Sequence, residues 1–429
     1  MTDASTKPVV LALSNTITPA IALEILPQGL AVNSLYLNAD GETHDVIPGP
    51  YDSAQHATPP YKYLNTLVGR YANRIAMKEG GHAIQKNGYS ATINPVKNES
   101  DKVSLHGGVN ALDSLLFTQL KLQESTLFSE KELRRLHELD YSNALFTATL
   151  PHNSNGFPGT LRVEVLFALI DPATLPVVSN PDVPKHVDLG SVLVVYRARL
   201  AEPNIHWGFN LEASLRPTPH LNIRDHHLIL RSPARVAIDS DLLPTGELAL
   251  NSAEPAHDHN AGKKIGELFP EKGYDHSWLL TVLADHFYIF DESAYKASIA
   301  TQPPRTPVKD LANIDLLSEL LSTKPAEHPS VELWSDKSGY KISFSSNQGG
   351  VQFYTANFTN GAGRERRFME VRLTRTVIQK NAVHSLNSTM CPLSAFLHPQ
   401  NGIDSLLTSD ELYHNYVRLD IGFKPPVRA

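Results

Sequence analysis

The histidine at position 206 is the first candidate for acid–base chemistry in this sequence. It lies in Asn204–Leu211, Asn-Ile-His-Trp-Gly-Phe-Asn-Leu, among β-type and aromatic residues. Such surroundings suit a side chain aimed into a partly desolvated pocket, where its titration can be tuned toward neutral pH for proton transfer. Taken alone, however, this segment favours a hydrogen-bonded histidine of a sheet over a catalytic one.

Four further stretches place polar side chains in apolar or glycine-rich surroundings. They are Val68–Ile75 with Arg70, Asn73 and Arg74, Ser104–Gly108 with His106, Gly273–Ser277 with Asp275 and His276, and Gly349–Thr355 with Gln352. The two glycines after His106 allow a backbone to approach a ligand closely. Each stretch alone is better explained by a structural role: an ion pair for Arg74, a turn for His106, a cap for Asp275 and an edge strand for Gln352.

The elements that must position these side chains are predicted to be short strands. Thirty prolines and 24 glycines divide the chain into short segments, many of which alternate between apolar and polar residues. This pattern predicts an all-β sandwich or barrel. The alternating segments are Val9–Leu13, Leu35–Leu37, Val103–Leu105, Phe146–Leu150, Leu161–Ile170, Ser191–Leu200, Leu228–Leu230, Ser277–Leu283, Lys341–Phe344 and Val351–Phe358.

Two segments are predicted to be short inserted helices. Ser129–Glu132 has the form of a capping box and precedes leucines at helical spacing up to Leu139. Pro307–Leu321 also carries apolar residues at helical spacing, and we expect both helices to pack on a sheet. The polar segment Asn251–Lys264 is predicted to be a long surface loop.

Composition describes a globular protein and argues against several functional classes. The chain has 429 residues, 41% hydrophobic and 19% charged, with a net charge of −7 that argues against nucleic-acid binding. A single cysteine, Cys391, excludes an intramolecular disulfide, and the 19 histidines lack the spacing of metal ligands. With no apolar membrane span and no secretory signal, we expect a cytoplasmic protein. Without an internal repeat or linker, residues 1–429 are predicted to form one domain.

Taken in order, the polar stretches resemble the aldose 1-epimerases, also called galactose mutarotases. The matching segments are Gly69-Arg-Tyr-Ala-Asn-Arg-Ile75, Leu105-His-Gly-Gly108, Asn204–Leu211, Leu243-Pro-Thr-Gly-Glu247, Gly273-Tyr-Asp-His276 and Val351-Gln-Phe-Tyr-Thr355. The tail Leu406–Val417 is similar to the fungal branch. The resemblance covers nearly the whole chain and implies a galactose mutarotase-like β-supersandwich with the sugar in an open cleft.

The resemblance also implies a set of functional residues. His206 matches the general acid, while Asn73, Arg74, His106, Asp275 and Gln352 match positions that hold the sugar hydroxyls and ring oxygen. The implied substrate is an aldose such as galactose or glucose. The implied reaction needs no metal or cofactor, and we expect no nucleic-acid, membrane or obligate protein partner.

The sequence departs from the family where the general base should lie. The family has a glutamate after the Gln-Phe-Tyr-Thr strand, but between Asn357 and Asp404 the only carboxylates are Glu365 and Glu370, which lack the family's flanking residues. The run 364–391 is basic and contains no glycine. One hypothesis is a shifted reading frame, which permits Phe-Leu-Glu-Phe-His-Tyr across 384–390, with the glutamate codon straddling Leu386 and Asn387. The other is genuine divergence.

Two alternatives to an active epimerase follow. One is a sugar-binding homologue whose catalysis is impaired because the base is absent. The other is a hexose-6-phosphate epimerase of the same fold, which needs several cations at the cleft to meet a phosphate, with Arg70 and Arg74 as candidates.

Overall fold

The computed structural model describes residues 7–13, 18–50, 53–58, 61–138, 142–173, 186–199, 204–212, 215, 223–270, 274, 286–290, 305–355, 384–387 and 406–426. Within these ranges the chain forms 25 strands, one α-helix and several short 3₁₀ turns. The prediction of an all-β protein with few helices is confirmed.

The described strands run in chain order from β1 to β25. They are β1 Val9–Ala12, β2 Ile21–Ile25, β3 Val32–Asn38, β4 Thr43–Asp45, β5 Leu67–Val68, β6 Arg74–Ala76, β7 His82–Lys86, β8 Tyr89–Ile93, β9 Val103–Leu105, β10 Thr118–Leu120, β11 Asn143–Leu150, β12 Leu161–Ile170, β13 Val187–Arg199, β14 Asn204–Phe209, β15 His227–Leu230, β16 Ala234–Ile238, β17 Pro244–Leu250, β18 Lys263–Lys264, β19 His286–Ile289, β20 Arg305–Pro307, β21 Val331–Trp334, β22 Tyr340–Ser346, β23 Gly350–Tyr354, β24 His384–Asn387 and β25 Glu411–Phe423.

Three antiparallel sheets hold most of these strands. Sheet A has the order β1-β2-β3-β4, and sheet B has the order β10-β11-β12-β13-β25-β22-β21-β15-β18, with β20 also paired to β25. Sheet C has the order β17-β16-β19-β23-β24-β14-β5, and β6-β9 and β7-β8 form small separate pairs. One apolar core cluster draws buried side chains from all three sheets, so folding of each sheet depends on the others.

The central strands of sheet B are apolar on both faces. Val192, Val194 and Tyr196 of β13 belong to the core shared by the three sheets, as their alternation predicted. Leu193 and Val195 point the other way, into a second apolar cluster. Because successive side chains of a strand alternate between faces, both faces of this sheet must be covered.

The outer face of sheet B is covered by the predicted helix, α1, which spans Glu130–Glu138. The predicted capping box is present: Ser129 N donates to Glu132 Oε2 (2.9 Å), and Glu132 N donates to Ser129 Oγ (3.3 Å). Glu132 also accepts two hydrogen bonds from Arg197 of β13, at 2.7 and 2.6 Å, in a fully buried ion pair. This pair fixes the helix to the sheet.

The prediction of a second helix over Pro307–Leu321 is wrong in extent. Pro307 ends β20, and only Val308–Asn313 is helical, as a 3₁₀ turn. The Ile314 carbonyl accepts from Ser129 Oγ (2.6 Å) and Leu316 N donates to Glu132 (2.8 Å). These bonds to the start of α1 engage backbone groups that a continued helix would use internally.

The predicted surface loop Asn251–Lys264 is confirmed as a connection of turns in which most residues are exposed or half-buried, but three residues are not. Asn251, His257 and His259 are buried, and the segment ends in β18. His257 Nδ1 lies 2.8 Å from the Tyr288 hydroxyl of sheet C, so this segment packs inward against that sheet. Of the ten predicted strands, nine coincide with or overlap observed ones, and Ser277–Leu283 lies outside the described ranges.

Among the helices in the described part of the chain, none is long and apolar enough to cross a bilayer.

Candidate functional site

The strand that carries His206 is β14 of sheet C. On one side it pairs with β5, through Asn204 with Val68 and Ile205 with Leu67. The Gly208 amide also donates to Asn65 Oδ1 at 2.7 Å, just before β5. The chain that follows β5 therefore starts beside the strand of His206. The preceding strand β13 belongs to sheet B.

His106 and Asn73 are held against each other by two hydrogen bonds. The backbone amide of Asn73 donates to His106 Nδ1 (3.1 Å), and the backbone amide of His106 donates to the backbone carbonyl of Asn73 (3.0 Å). Both residues have left-handed backbone, with φ of +51° for His106 and +64° for Asn73. Because Nδ1 accepts a hydrogen bond, the neutral ring carries its proton on Nε2. The ring of Tyr63 packs 4.7 Å from that of His106.

Gly107 allows this loop to reach the end of β5. Its φ is +91°, and a Cβ built on it would lie 2.0 Å from the Gly69 carbonyl oxygen. Asn98 then secures the loop, because its side-chain amide donates to the Leu105 and Gly108 carbonyls, each at 2.9 Å. The close approach seen at Gly107 is to the chain itself, so the approach of a ligand at these glycines stays a prediction.

Asn73 presents an uncommitted carboxamide at this position. The residue is fully buried, and neither Oδ1 nor Nδ2 has a hydrogen-bond partner in the described part of the chain. A buried amide without partners is costly unless a ligand or water satisfies it. One acceptor and two donors match the hydroxyl groups of a sugar.

Arg74 and Arg70 have strong structural partners. Arg74 makes two hydrogen bonds of 2.8 Å to the Glu99 carboxylate, in an ion pair whose side chains are 2% and 4% exposed. Arg70 donates to the carbonyls of Gly159 (2.9 Å) and Pro151 (2.7 Å), and burial lowers its pKa to about 10. These contacts hold Arg70 away from a phosphate-binding role.

Gln352 lies in the same sheet as His206. It is buried in β23 and pairs in register with Asn387 of β24. Asn387 pairs in turn with His206 of β14. Residues directly opposite one another on antiparallel strands belong to the same face, so positions 206, 387 and 352 form one row across three adjacent strands. The predicted grouping of His206 with Gln352 is therefore supported by the backbone register.

Asp275 lies outside the described residues, whereas the preceding residue, Tyr274, is described. Tyr274 is buried, its amide donates to Thr355 Oγ1 (3.2 Å), and its hydroxyl lies 3.0 Å from His259 Nε2. Thr355 directly follows β23, so Tyr274 lies at the end of the strand that carries Gln352. The segment Asn251–Lys264 helps to place it through His259.

Asp113 is a further candidate functional residue, which the sequence analysis does not predict. Its side chain is buried, and Oδ1 has no hydrogen-bond partner in the ranges that the structure covers. Burial raises the pKa of this carboxyl to about 6, although the charge of Lys62 opposes the shift. Burial raises the pKa of Tyr63, the residue that packs on His106, and the charge of Asp113 adds to that shift. No motif or periodicity marks Asp113, because its environment comes from residues distant in sequence.

Sequence comparison finds no matching family model. Curated relatives include the galactose mutarotase of Bos taurus, 28% identical over 61% of this chain and 64% of that protein. A probable aldose 1-epimerase of Arthroderma benhamiae is 26% identical over 80% of this chain and 68% of that protein. The alignment to the bovine mutarotase thus spans slightly less than two thirds of that protein.

Structural comparison confirms the predicted fold. The aldose epimerase homologue from C. elegans superposes with a TM-score of 0.61 at 15% identity, covering 98% of this chain and 99% of the other. The chain therefore has the galactose mutarotase-like fold, and it resembles the aldose 1-epimerases, a fungal relative among them, in sequence.

Proposed function

We propose that the protein is a cytoplasmic, single-domain aldose 1-epimerase that interconverts the α and β anomers of free aldohexoses such as galactose and glucose. The observation that carries the proposal is the register row of His206, Asn387 and Gln352 in sheet C, next to the strand that leads to Asn73 and His106. The resemblance to galactose mutarotases and aldose 1-epimerases supplies the reaction.

The proposed reaction needs two proton transfers at one sugar. The ring opens when the anomeric hydroxyl loses a proton and the ring oxygen gains one, as the bond between the anomeric carbon and the ring oxygen breaks. Rotation about the C1–C2 bond and closure with both transfers reversed give the other anomer. In this scheme a protonated His206 gives its proton to the ring oxygen. Asn73, His106, Asp275 and Gln352 hold the hydroxyls, so that both transfers start from an aligned geometry.

The scheme also needs a general base that takes the proton of the anomeric hydroxyl, and the residues named above do not include one. Position 387, between His206 and Gln352, carries an amide that cannot accept a proton at neutral pH. Glu99 is engaged with Arg74. These observations favour a second candidate, a sugar-binding homologue with impaired catalysis. Loss of one acid–base partner typically costs a factor of about 10²–10⁴ in rate.

The hexose-6-phosphate alternative receives no support from the two arginines proposed for it. Arg70 is engaged with backbone carbonyls and Arg74 with Glu99. A phosphate would have to displace these buried partners, which disfavours both side chains as its ligands.

Polarimetry distinguishes the two remaining candidates. Optical-rotation decay of fresh α-D-galactose and α-D-glucose is measured with the full chain, with His206→Ala and without protein. For the epimerase, we expect decay well above the spontaneous rate. We also expect His206→Ala to return the decay to the spontaneous rate. Decay at the buffer rate from folded protein, together with sugar binding that Asn73→Leu weakens, identifies the sugar-binding homologue. Absence of both decay and binding would overturn the proposal.

A further inference from the structure

A cavity lies on the outer face of sheet B, whereas the candidate site is built on strands of sheet C. Its volume is about 460 Å³, within the range of small-molecule sites. Strands β22 and β25 contribute Ser345, His414 and Tyr416, and the segment after the 3₁₀ turn contributes Leu316 and Leu320. We call this space the outer cavity.

The alternation of β22 and β25 separates the outer cavity from the main core. Phe344 and Val417 belong to the core shared by the three sheets, whereas Tyr416 belongs to the cluster on the opposite face. Ser345 follows Phe344 and therefore faces outward with Tyr416. His206 and Gln352 lie on strands of a different sheet.

Two side chains of the cavity lining offer a hydrogen-bonding group, the Ser345 hydroxyl and the His414 ring. Ser345 is 4% exposed, and its hydroxyl makes no hydrogen bond in that part of the chain. His414 accepts a hydrogen bond on Nδ1 from Arg197 Nε (3.4 Å), which places the proton of the neutral ring on Nε2. Burial and the charge of Arg197 lower the pKa of His414 well below its usual value, so the ring is uncharged at neutral pH.

The buried cation of the lining, Arg418, already has its hydrogen-bond partners. Arg418 Nε donates to Asp420 Oδ1 (2.7 Å), and its terminal nitrogens donate to Ser191 Oγ and to the Leu320 and Lys324 carbonyls. Exposed Glu319 and Glu327 outnumber exposed Lys324 at the rim. The outer cavity therefore has no uncommitted buried positive charge that could bind an anion, and the negative charges at its rim slightly disfavour anion binding.

We propose that the outer cavity binds an uncharged ring polyol, the class that includes pyranoses and inositols, through the Ser345 hydroxyl and the His414 Nε2–H group. Leu316, Leu320 and Tyr416 provide apolar surface for the C–H face of such a ring. This site is distinct from the candidate epimerase site and does not depend on the function proposed for it.

The test uses two uncharged ring polyols that cannot mutarotate, myo-inositol and methyl α-D-glucopyranoside. Binding is measured by isothermal titration and saturation-transfer NMR in a Gln352→Leu background, which weakens the candidate epimerase site. We expect at least one probe to bind, Ser345→Leu to abolish binding by filling the cavity, and Ser345→Ala to weaken it by about tenfold through loss of one hydrogen bond.

Ser343→Leu is the matched control, because Ser343 lies two residues away on the same strand and the same face but does not line the cavity. This variant should bind as the parent does, and circular dichroism checks that each variant is folded. If neither probe binds, if Ser345→Leu and Ser345→Ala bind like the parent, or if glucose 6-phosphate binds this cavity more tightly than the neutral probes, the proposal is wrong.

Discussion

At the scale of single residues, position 387 decides between an active and an impaired epimerase. Its register partners are His206 and Gln352, and a glutamate there would stand in the same row as the proposed acid. We expect Asn387→Glu to raise the mutarotation rate by about 10²–10⁴-fold, the usual contribution of a positioned general base. Polarimetry at pH 7 with α-D-galactose measures the change.

The neighbouring position supplies the control for this prediction. Leu386 pairs with Trp207 and Phe353, and Phe353 belongs to the main core. Leu386→Glu therefore directs a carboxylate toward the opposite, apolar face, where we expect loss of stability and no gain in rate. A rate gain in Leu386→Glu rather than in Asn387→Glu would show that the register row does not locate the base.

Asp113 provides a test at residue scale that is independent of catalysis. Its pKa of about 6 lies above the unfolded value of 3.8, so the folded state holds the proton more tightly. Stability should therefore fall as pH rises from about 4 to 6, by up to about 3 kcal/mol. Asp113→Asn should raise the free energy of unfolding at pH 7.5 by about 1–3 kcal/mol, and urea titrations measure it. The gain should vanish near pH 3.5, and a gain that is equal at both pH values would contradict the assigned pKa.

At the scale of elements, the His106 loop depends on one glycine. Gly107 combines a left-handed φ of +91° with a virtual Cβ position 2.0 Å from the Gly69 carbonyl oxygen. Gly107→Ala must move His106 away from Asn73, and we expect it to weaken sugar binding by at least about tenfold and to destabilise the protein by about 2–4 kcal/mol. Calorimetric sugar titration and urea unfolding measure the two effects.

Gly88 is the matched control for this loop. Its φ is +81°, but no atom lies within 4 Å of a Cβ built on it. Gly88→Ala should show only the backbone cost of about 1–2 kcal/mol and leave sugar binding unchanged. If the two variants are equally destabilised and bind sugar equally well, close packing at Gly107 does not position His106.

Elements that depend on local sequence were predictable, and those that depend on distant partners were not. Alternation located β12 and β22, and the Ser129–Glu132 pattern located the start of α1. The same helical spacing failed after Pro307, because Ser129 and Glu132 engage backbone groups of that segment from far away in sequence. Tertiary hydrogen bonds thus overrode local propensity.

In the candidate site, too, some features could be predicted from the sequence and others depend on the fold. The types and order of His106 and Gln352 in the sequence pointed to a sugar site, and the register row relates Gln352 to His206. The tight engagement of Arg74 with Glu99 could not be read from the sequence, because the two residues lie 25 positions apart. Asp113 could not be found either, since its raised pKa arises from burial by the fold.

At the scale of the whole molecule, buried neutral histidines determine the acid stability. Burial lowers the pKa of His226 and of His259 to about 3, and burial with the charge of Arg197 lowers that of His414 well below 6.5. The Glu212 carboxylate lies 3.9 Å from His226 Nδ1, but desolvation outweighs it because the ring is fully buried. All three side chains gain protons on unfolding below pH 6.5.

Asp113 acts in the opposite direction, because it releases a proton on unfolding between pH 4 and 6. Near pH 5.5 the three histidines and Asp113 together should take up about two protons on unfolding, which corresponds to a loss of about 2–3 kcal/mol per pH unit. Urea midpoints between pH 7 and 5 measure this slope. His259→Gln should reduce the uptake by about one proton. Midpoints that stay constant from pH 7 to 5 would show that these rings are not held neutral in the folded protein.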